Sequence, residues 1–417
     1  MARPGRFKPL VVRKVQEREV QAAFEDLLAY CRSHDWAGHD PYDALNSRVF
    51  SAVPLLDTRL TRLLLTQILK RSPIDLRALL LVPRTSNPKA LALLLSAALK
   101  AESFAPGGPA RDVPALMIQR LIATRSTGNA YWCWGYSFPW QTRTVLVPKG
   151  APNVVCTTFV AGALLDAYEQ SSDAACLRMA ASAADFLLEQ LYRTGKDGFA
   201  GFSYPLPGMG AGIHNANLLA AALLARLHRM TGHDHLVTPA LRVARYTVGK
   251  QRQDGSWPYG EATTQRWVDN FHTGYNLCAL WDLGRDLDTS EFEPAVRRGL
   301  DFYVAHFFRE DGAPRYFHNR THPIDIHSVA QSLITLTRLQ GLDTRPAPLA
   351  SQVLRWALTH MWDSRGFFYY RILRLGTIRT SYMRWSQAWM LLALATMLEG
   401  RRSAVGNHPL SRRSVPA

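Results

Sequence analysis

An Asp-Gly turn that recurs at a fixed interval is the feature of this sequence that most constrains its fold. The turn begins at Asp197, Asp254 and Asp311, which are 57 residues apart in both steps, and a related turn begins at Asp363. An apolar stretch with helical spacing precedes each turn, and a second such stretch follows after an aromatic, polar loop. Because a period of this length is typical of repeat proteins, the chain is predicted to consist of stacked helical pairs.

The two helices of each pair differ in character, which predicts where each one lies. The first helices carry charged residues and are expected to face solvent; they lie at 181–192, 241–250, 296–308 and 349–361. The second helices are apolar on nearly every side; they lie at 214–230, 271–283, 326–339 and 384–398. A helix that is apolar all round is buried on most sides, so the second helices are predicted to form an inner layer.

Earlier residues extend the count to six pairs. They supply helices at 17–32, 87–100, 110–125 and 153–169, and an additional amphipathic helix at 59–70. Six pairs close most simply into a barrel of two concentric helical rings, because closure buries the apolar flanks that an open array would have to cap. Short β pieces are expected only in loops, at 315–317 and 367–372. The expected single domain spans 17–400, between a basic arm at 1–16 and a disordered basic tail at 401–417.

The net charge of +16 narrows the classes of partner. It favours an acidic polymer or peripheral contact with an anionic membrane, and no recognition motif supports specific binding of nucleic acid. The alternative is an ordinary solvated basic surface without a charged partner. The five cysteines are widely spaced and form no CxxC motif, which favours a reducing compartment over a disulfide framework. The N-terminus lacks the apolar stretch of a secretory signal, and no apolar run reaches the roughly 18 residues of a membrane span. A cytoplasmic protein is therefore expected.

One end of such a barrel is suited to binding anions. Asn or Asp stands at five predicted inner-helix starts and is expected to cap them: Asn87, Asn153, Asn215, Asn270 and Asp325. The loops that lead from outer to inner helices open at a single end, so the N-termini of the inner helices converge there. Their dipoles favour carboxylate or phosphate groups, and a binding mouth is predicted at this end.

Four residues are predicted to be catalytic at the mouth: Asp269, His272, His214 and Tyr382. Asp269 and His272 are three residues apart at one inner-helix start, so they share nearly one face, where a carboxylate can orient an imidazole as a base. His214 occupies the matching position one repeat earlier, and Tyr382 is a candidate acid. The alternative for the first pair is that Asp269 only caps the helix and His272 is a buried, hydrogen-bonded imidazole.

A wider set of aromatic and polar residues is predicted to bind the substrate. Aromatic faces stack on sugar rings, and an Arg fork holds a carboxylate by two hydrogen bonds. The predicted set is Trp134, Tyr136, Trp140, Trp257, Tyr259, Glu261, Asn270, Tyr275, Asp325, His327, Arg384 and Trp385.

No cofactor and no metal are predicted. A zinc site formed by His214, His272 and His327 is an alternative, although no closely spaced ligand motif supports it. A carboxylate pair for glycoside hydrolysis is another alternative. Its candidates are Glu261, Asp269, Asp325 and Asp40.

The turn motifs DGFAGF, DGSWPYGE and DGAPRYF resemble the Asp-Gly-aromatic turns of the six-hairpin (α/α)₆ toroid superfamily. Its glycan-active members include unsaturated glucuronyl hydrolases, N-acylglucosamine and uronosyl epimerases, and heparinase-type lyases. The segments WCWGYSFPWQ and WVDNFHTGYN are similar to bacterial proteins associated with polysaccharide biosynthesis, which have prenyltransferase- and squalene-cyclase-like repeats. The resemblance covers residues 17–400 and implies an all-α (α/α)₆ toroid.

These observations lead to one main hypothesis for the function. The protein is expected to be a carbohydrate-active enzyme of polysaccharide (exopolysaccharide) biosynthesis or processing, a lyase, epimerase or hydrolase acting on an acidic or lipid-linked glycan. Removing the C5 proton of a uronic acid needs a base, an acid and a cation. His272 or His214 is the candidate base, Tyr382 or Tyr275 the candidate acid, and Arg384 the cation. The alternatives are a non-catalytic glycan- or partner-binding scaffold and an isoprenoid cyclase-like enzyme, although a cyclase would need an aspartate run that this sequence lacks.

Overall fold

The computed structural model describes residues 15–406, which form helices joined by loops and short strands. The α-helices of this part are α1 Glu17–Ser33, α2 Arg48–Ser51, α3 Arg59–Arg71, α4 Pro88–Phe104, α5 Val113–Ala123, α6 Val154–Ser171, α7 Ala174–Phe186, α8 His214–Thr231, α9 Val237–Val248, α10 Asn270–Asp286, α11 Glu293–His306, α12 Ile326–Arg338, α13 Pro346–His360 and α14 Trp389–Gly406. π-helical turns extend α7 through Leu187–Leu191 and precede α14 at Met383–Ala388.

The short strands all lie in loops, as predicted, and pair antiparallel. They are β1 Trp140–Gln141 with β2 Leu146–Val147, β3 Tyr192–Thr194 with β4 Ala200–Phe202, β6 Trp362–Asp363 with β7 Phe367–Phe368, and β5 Ile324–Asp325 with β8 Arg371–Leu373 and β9 Gly376–Ile378. The β piece predicted at 367–372 is found as β7 and the start of β8. The one predicted at 315–317 is reduced to a single bridge between Phe317 and Asp269.

Six helices form a closed inner ring. Helices α4, α6, α8, α10, α12 and α14 each pack on the next, and α14 packs back on α4. The outer ring consists of α1, α5, α7, α9, α11 and α13, each against one inner helix. The predicted barrel of two concentric rings is thus confirmed, and one contiguous hydrophobic core lies between the rings.

The pairing of helices differs from the predicted order. Each inner helix packs most closely on the outer helix that follows it, and α14 packs on α1, the first outer helix. The connection from an inner helix to the outer helix that follows it is short, as in residues 172–173 between α6 and α7. Short connections favour antiparallel neighbours. The long aromatic loops therefore join neighbouring pairs, and the ring is closed by contact between the two ends of the described chain.

Polar caps fix the starts of four inner helices. Asn87, Asn153, Asp269 and Asp325 each accept a hydrogen bond from a backbone N–H of the first turn. Asn215 was predicted as a cap but lies inside α8, whose cap position is Ile213. The cap predicted for α10, Asn270, was also wrong by one residue, because Asp269 is the cap and Asn270 is the first helical residue.

The repeated Asp-Gly turns have a packing reason. Gly255 and Gly312 adopt φ values of +90° and +88°, a conformation that favours glycine. A Cβ on Gly255 would lie 2.2 Å from the carbonyl oxygen of Arg298 on α11, and one on Gly312 would lie 2.9 Å from Gln352 on α13. At these two positions the turn therefore rests on the next outer helix, whereas Gly198 has a φ of +72° and no such contact.

Residues 43–82 form an addition beside the barrel. Ala44, Leu69 and Val82 make a small separate core that includes the predicted amphipathic helix, α3. At the other end, α14 continues to Gly406, six residues beyond the expected boundary at residue 400. The remainder of the predicted basic arm and tail lies outside the described residues. No helix in residues 15–406 is long and apolar enough to cross a membrane.

Candidate active site

A pocket of about 450 Å³ opens at the end of the barrel where the inner helices begin. Twelve of its lining side chains are aromatic, which gives a substrate flat faces for stacking. Its polar lining among the described residues consists of Lys89, Asn215, His272, His327 and Arg384. We call it the mouth pocket.

Asp269 and His272 form the hydrogen-bonded pair that their spacing predicts. Asp269 is buried, and its Oδ2 lies 2.7 Å from Nδ1 of His272 and 2.9 Å from Nε1 of Trp267, while its Oδ1 caps the helix. A carboxylate only accepts hydrogen bonds, so Nδ1 carries a proton, and in the neutral imidazole Nε2 has the free lone pair. His272 lines the pocket and its side chain is 20% exposed. Asp269 thus caps α10 with one oxygen and holds the imidazole with the other, so it does more than cap the helix.

A second pair stands beside the first. Tyr275, one turn after His272 on α10, has its hydroxyl oxygen 2.5 Å from Nε2 of His327 on α12. Burial, with Lys89, Arg384 and His272 nearby, lowers the pKa of His327 well below its usual value, and burial raises that of Tyr275. A neutral imidazole next to a protonated phenol can relay a proton. The rings of His272 and Tyr275 are centred 6.0 Å apart, so both pairs face one substrate-sized space.

Lys89 is a site residue that the sequence analysis missed. It is the second residue of α4, only 3% exposed, and its Nζ lies 4.0 Å from the centre of the Phe159 ring and 5.2 Å from that of Trp389. Burial and the nearby Arg384 guanidinium hold the pKa of Lys89 well below its usual value. A lysine in the first turn of an inner helix, two residues after its cap and followed by six apolar residues, was the signal that could have identified it.

The buried carboxylates around the pocket already have partners. Asp40 binds Nε and Nη2 of Arg384 at 2.6 and 2.8 Å. Asp325 accepts hydrogen bonds from Arg371, from Nε1 of Trp385 and from the backbone of His327. Asp325 therefore supports the pocket from behind rather than lining it. No Asp or Glu among the described residues lines the mouth pocket.

The structure brings eight predicted site residues to the pocket wall: Tyr136, Trp140, Tyr259, His272, Tyr275, His327, Arg384 and Trp385. Tyr259 stacks on Trp267, with ring centres 4.7 Å apart and planes inclined by 11°. It also contacts the ring of His272 at 4.6 Å. A flat aromatic platform thus lies next to the candidate base.

Five other predicted site residues lie elsewhere, for packing reasons. Trp134 and Trp257 are core residues whose indole N–H groups donate to the carbonyls of Leu121 and Thr247. Tyr382 is fully buried, and its ring packs on Tyr370 and Arg77 instead of entering the pocket.

The remaining two of these five are Asn270 and Glu261. Asn270 accepts hydrogen bonds from Tyr303 and Ser332 in the layer between the inner and outer helices. Glu261 accepts one from Tyr246, which lies on the outer helix α9. These residues were assigned to the site because they lie near inner-helix starts, but the direction of each side chain decides otherwise.

His214 also stays away from the pocket wall. It is buried, neither ring nitrogen has a hydrogen-bond partner among the described residues, and burial lowers its pKa to about 4. Within residues 15–406, no three His, Cys, Asp or Glu side chains converge as a metal site requires. The three predicted histidines are therefore split, with His272 and His327 sharing the pocket and His214 apart from it.

A second cavity, of about 470 Å³, opens at the opposite end of the barrel. Ion pairs between neighbouring inner helices surround it, such as Lys100–Glu399, Arg226–Asp166 and Arg338–Asp282. These charges neutralise one another. They join the C-terminal ends of the inner helices and so stabilise the ring.

Comparison with known proteins supports the fold. No protein-family model matches the chain, and no curated protein matches it. Solved structures do: cellobiose 2-epimerase from Bacillus thermoamylovorans has a TM-score of 0.61 and 12% identity over 77% of this chain and 90% of that one. Unsaturated glucuronyl hydrolase from Streptococcus agalactiae has a TM-score of 0.60 and 11% identity over 95% and 97%. Cellobiose 2-epimerase from Spirochaeta thermophila has a TM-score of 0.57 and 15% identity over 76% and 86%.

At such identities the likeness concerns the fold, and the function has to be argued from the site. The closed inner ring, the surrounding outer ring and these matches lead to one conclusion. The chain has the (α/α)₆ toroid fold.

Proposed function

We propose that this protein is a carbohydrate-active enzyme that transfers protons at a sugar carbon, as an epimerase or lyase. The observation that carries the proposal is the Asp269–His272 pair, in which a buried carboxylate leaves Nε2 of a pocket imidazole free to act as a base. Tyr275, one turn further along α10, supplies a proton together with His327 of the neighbouring helix α12. General acid–base pairs of this kind contribute roughly 10²- to 10⁴-fold each to a rate.

The arrangement favours proton transfer over glycoside hydrolysis. Hydrolysis by the two-carboxylate mechanism needs two acidic side chains flanking the scissile bond. Asp40 and Asp325 are engaged by Arg384 and Arg371, and no acidic side chain of the described residues lines the pocket. The structural neighbours include both epimerases and a hydrolase, so the choice between these reactions rests on the site.

An acidic glycan of polysaccharide biosynthesis is the proposed substrate. The aromatic platform of Tyr259 and Trp267 suits a sugar ring, and Lys89 together with the inner-helix N-termini suits a carboxylate. A lipid-linked precursor and a cytoplasmic location are part of the proposal; the location rests on the free cysteines.

Isotope exchange tests the function on a whole panel of glycans, because proton transfer at carbon labels whichever of them is the substrate. The protein is incubated in D₂O with uronic-acid-containing and neutral oligosaccharides, and deuterium incorporation is followed by NMR and mass spectrometry. For an epimerase we expect deuterium at one ring carbon of an acidic glycan without cleavage, and for a lyase we expect cleavage to an unsaturated product. Saturable binding with neither exchange nor cleavage would favour the alternative of a glycan-binding scaffold, which the aromatic lining also supports. The absence of both binding and exchange would contradict the proposal.

Replacing Lys89 with Met tests the acidic character of the substrate. A hydrogen bond to a charged group contributes about 1.5–3 kcal/mol, so affinity for an acidic oligosaccharide is expected to fall roughly 10- to 100-fold, with little change for a neutral one. Isothermal titration calorimetry measures both. Lys149→Met makes the same substitution at an exposed position and serves as the control. An equal loss for both ligands in Lys89→Met would show that Lys89 does not contact the acidic group.

A further inference from the structure

Exposed apolar side chains are concentrated in the addition beside the barrel. The described residues include thirteen exposed large hydrophobic side chains, and nine of them lie between Val49 and Leu81. The remaining four, Ile122, Leu146, Trp267 and Leu375, lie elsewhere in the sequence. Apolar exposure gathered in one short segment of a domain marks an interaction site.

Helix α3 shows how the apolar side chains are arranged. Leu60, Leu64 and Ile68 recur every four residues and are 66%, 51% and 54% exposed, so they form one stripe. The opposite side of the helix contributes Leu69, which is 1% exposed, to the small core of this segment. A surface helix with one buried apolar face normally presents a polar face to water, so this second apolar face has no role in folding.

The same segment is strongly basic. Residues 48–84 contain six Arg and one Lys against two Asp, and those two, Asp57 and Asp75, pair with Arg62 and Arg77 inside the segment. Arg48, Arg59, Arg71 and Arg84 are exposed and form no ion pair among the described residues. Basic side chains beside exposed apolar ones are the combination that binds an anionic lipid surface.

We infer that residues 48–84 form a docking surface for an anionic lipid bilayer. Leu55, Ile74 and Leu79, which are 92%, 70% and 75% exposed, protrude from loops rather than lining a groove. A protein partner would need a matching pocket for each of these side chains, whereas the interface of a bilayer accepts them without shape matching. A second copy would place two surfaces of net charge +5 against each other.

The docking surface adjoins the mouth pocket. Nζ of Lys70 on α3 donates to the hydroxyl of Tyr42, a pocket residue, at 2.6 Å, and Arg62 donates to Gln141, next to the pocket residue Trp140. A bilayer held at this surface therefore lies beside the entrance of the pocket. If the proposed function holds, this placement indicates that the substrate is a glycan attached to a lipid in the membrane.

Vesicle sedimentation of the full-length protein tests the docking surface without any sugar. We expect binding to phosphatidylcholine vesicles that contain phosphatidylglycerol to be at least about tenfold stronger than to phosphatidylcholine alone. The triple variant Leu60→Gln, Leu64→Gln, Ile68→Gln keeps the charge and is expected to lose at least about tenfold in affinity for the anionic vesicles. Leu375→Gln, at a side chain 97% exposed on the β8–β9 turn, is the matched control and is expected to bind like the unmodified protein.

Two results would overturn the inference. One is that the unmodified protein does not bind anionic vesicles, or that the triple variant binds them equally well. The other is a dimer, detected by analytical ultracentrifugation, that dissociates in the triple variant, because this would assign the surface to a second copy. Turnover of a soluble oligosaccharide is expected to be the same in the triple variant and the unmodified protein, so a failure of the proposed function is distinguishable from a failure of docking.

Discussion

Asp269→Asn is expected to lower turnover about 100- to 10,000-fold, and to cost about 1–3 kcal/mol of stability because the amide no longer accepts from Nε1–H of Trp267. Asn keeps the oxygen that caps α10 through the backbone N–H of His272, so the helix start is retained. The amide, however, no longer provides the anion that holds the proton on Nδ1 of His272 and leaves Nε2 free. The measurement is the rate of deuterium exchange into the glycan, together with the thermal unfolding midpoint.

Two further variants make this prediction specific. His272→Gln is expected to reduce exchange to a similar extent, and the double variant to be little worse than either single one, because the two residues act as a unit. His360→Gln removes a histidine at the end of outer helix α13, where its Nδ1 contacts the carbonyl of Trp356, and is expected to retain activity. Full exchange activity in Asp269→Asn would exclude His272 as an Asp-oriented base.

Asp40→Ala is expected to destabilise the protein by about 3–5 kcal/mol, because it leaves the buried guanidinium of Arg384 without a counter-charge. Both side chains are at most 6% exposed, and the pair joins residues that are 344 positions apart in the sequence. Although burial alone would lower the pKa of Arg384, Asp40 raises it above its usual value, so the group stays charged in the folded state. Urea-induced unfolding followed by circular dichroism measures the loss.

The control for Asp40→Ala is an ion pair at the surface. Asp301→Ala removes a partner of Arg345, with 63% and 48% of the side chains exposed, and is expected to cost at most about 1 kcal/mol. Asp40→Ala with Arg384→Met is expected to recover part of the stability, since replacing both members of a buried pair by apolar groups removes the uncompensated charge. Equal losses in Asp40→Ala and Asp301→Ala would show that the buried pair does not close the ring.

The sequence by itself determined the architecture and one part of the site. The 57-residue repeat and the contrast between charged and apolar helices depend on local periodicity, and they predicted the two rings of helices. The Asp269–His272 pair was predictable for the same reason, because two residues three apart at a helix start are held together by the helix itself. The resemblance of the turn motifs to glycan-active toroids agreed with the fold.

Only the tertiary structure decided which other side chains meet. Tyr275 reaches His327 from a different helix, Asp40 neutralises Arg384 across the ring closure, and Lys89 lies among aromatic rings far away in the sequence. Tyr382 was predicted from its position just before an inner helix, yet it points into the core toward Arg77. The rotation of each helix about its axis and the way the ring closes set these contacts. Both depend on packing among all twelve barrel helices, which the spacing of residues within one helix does not encode.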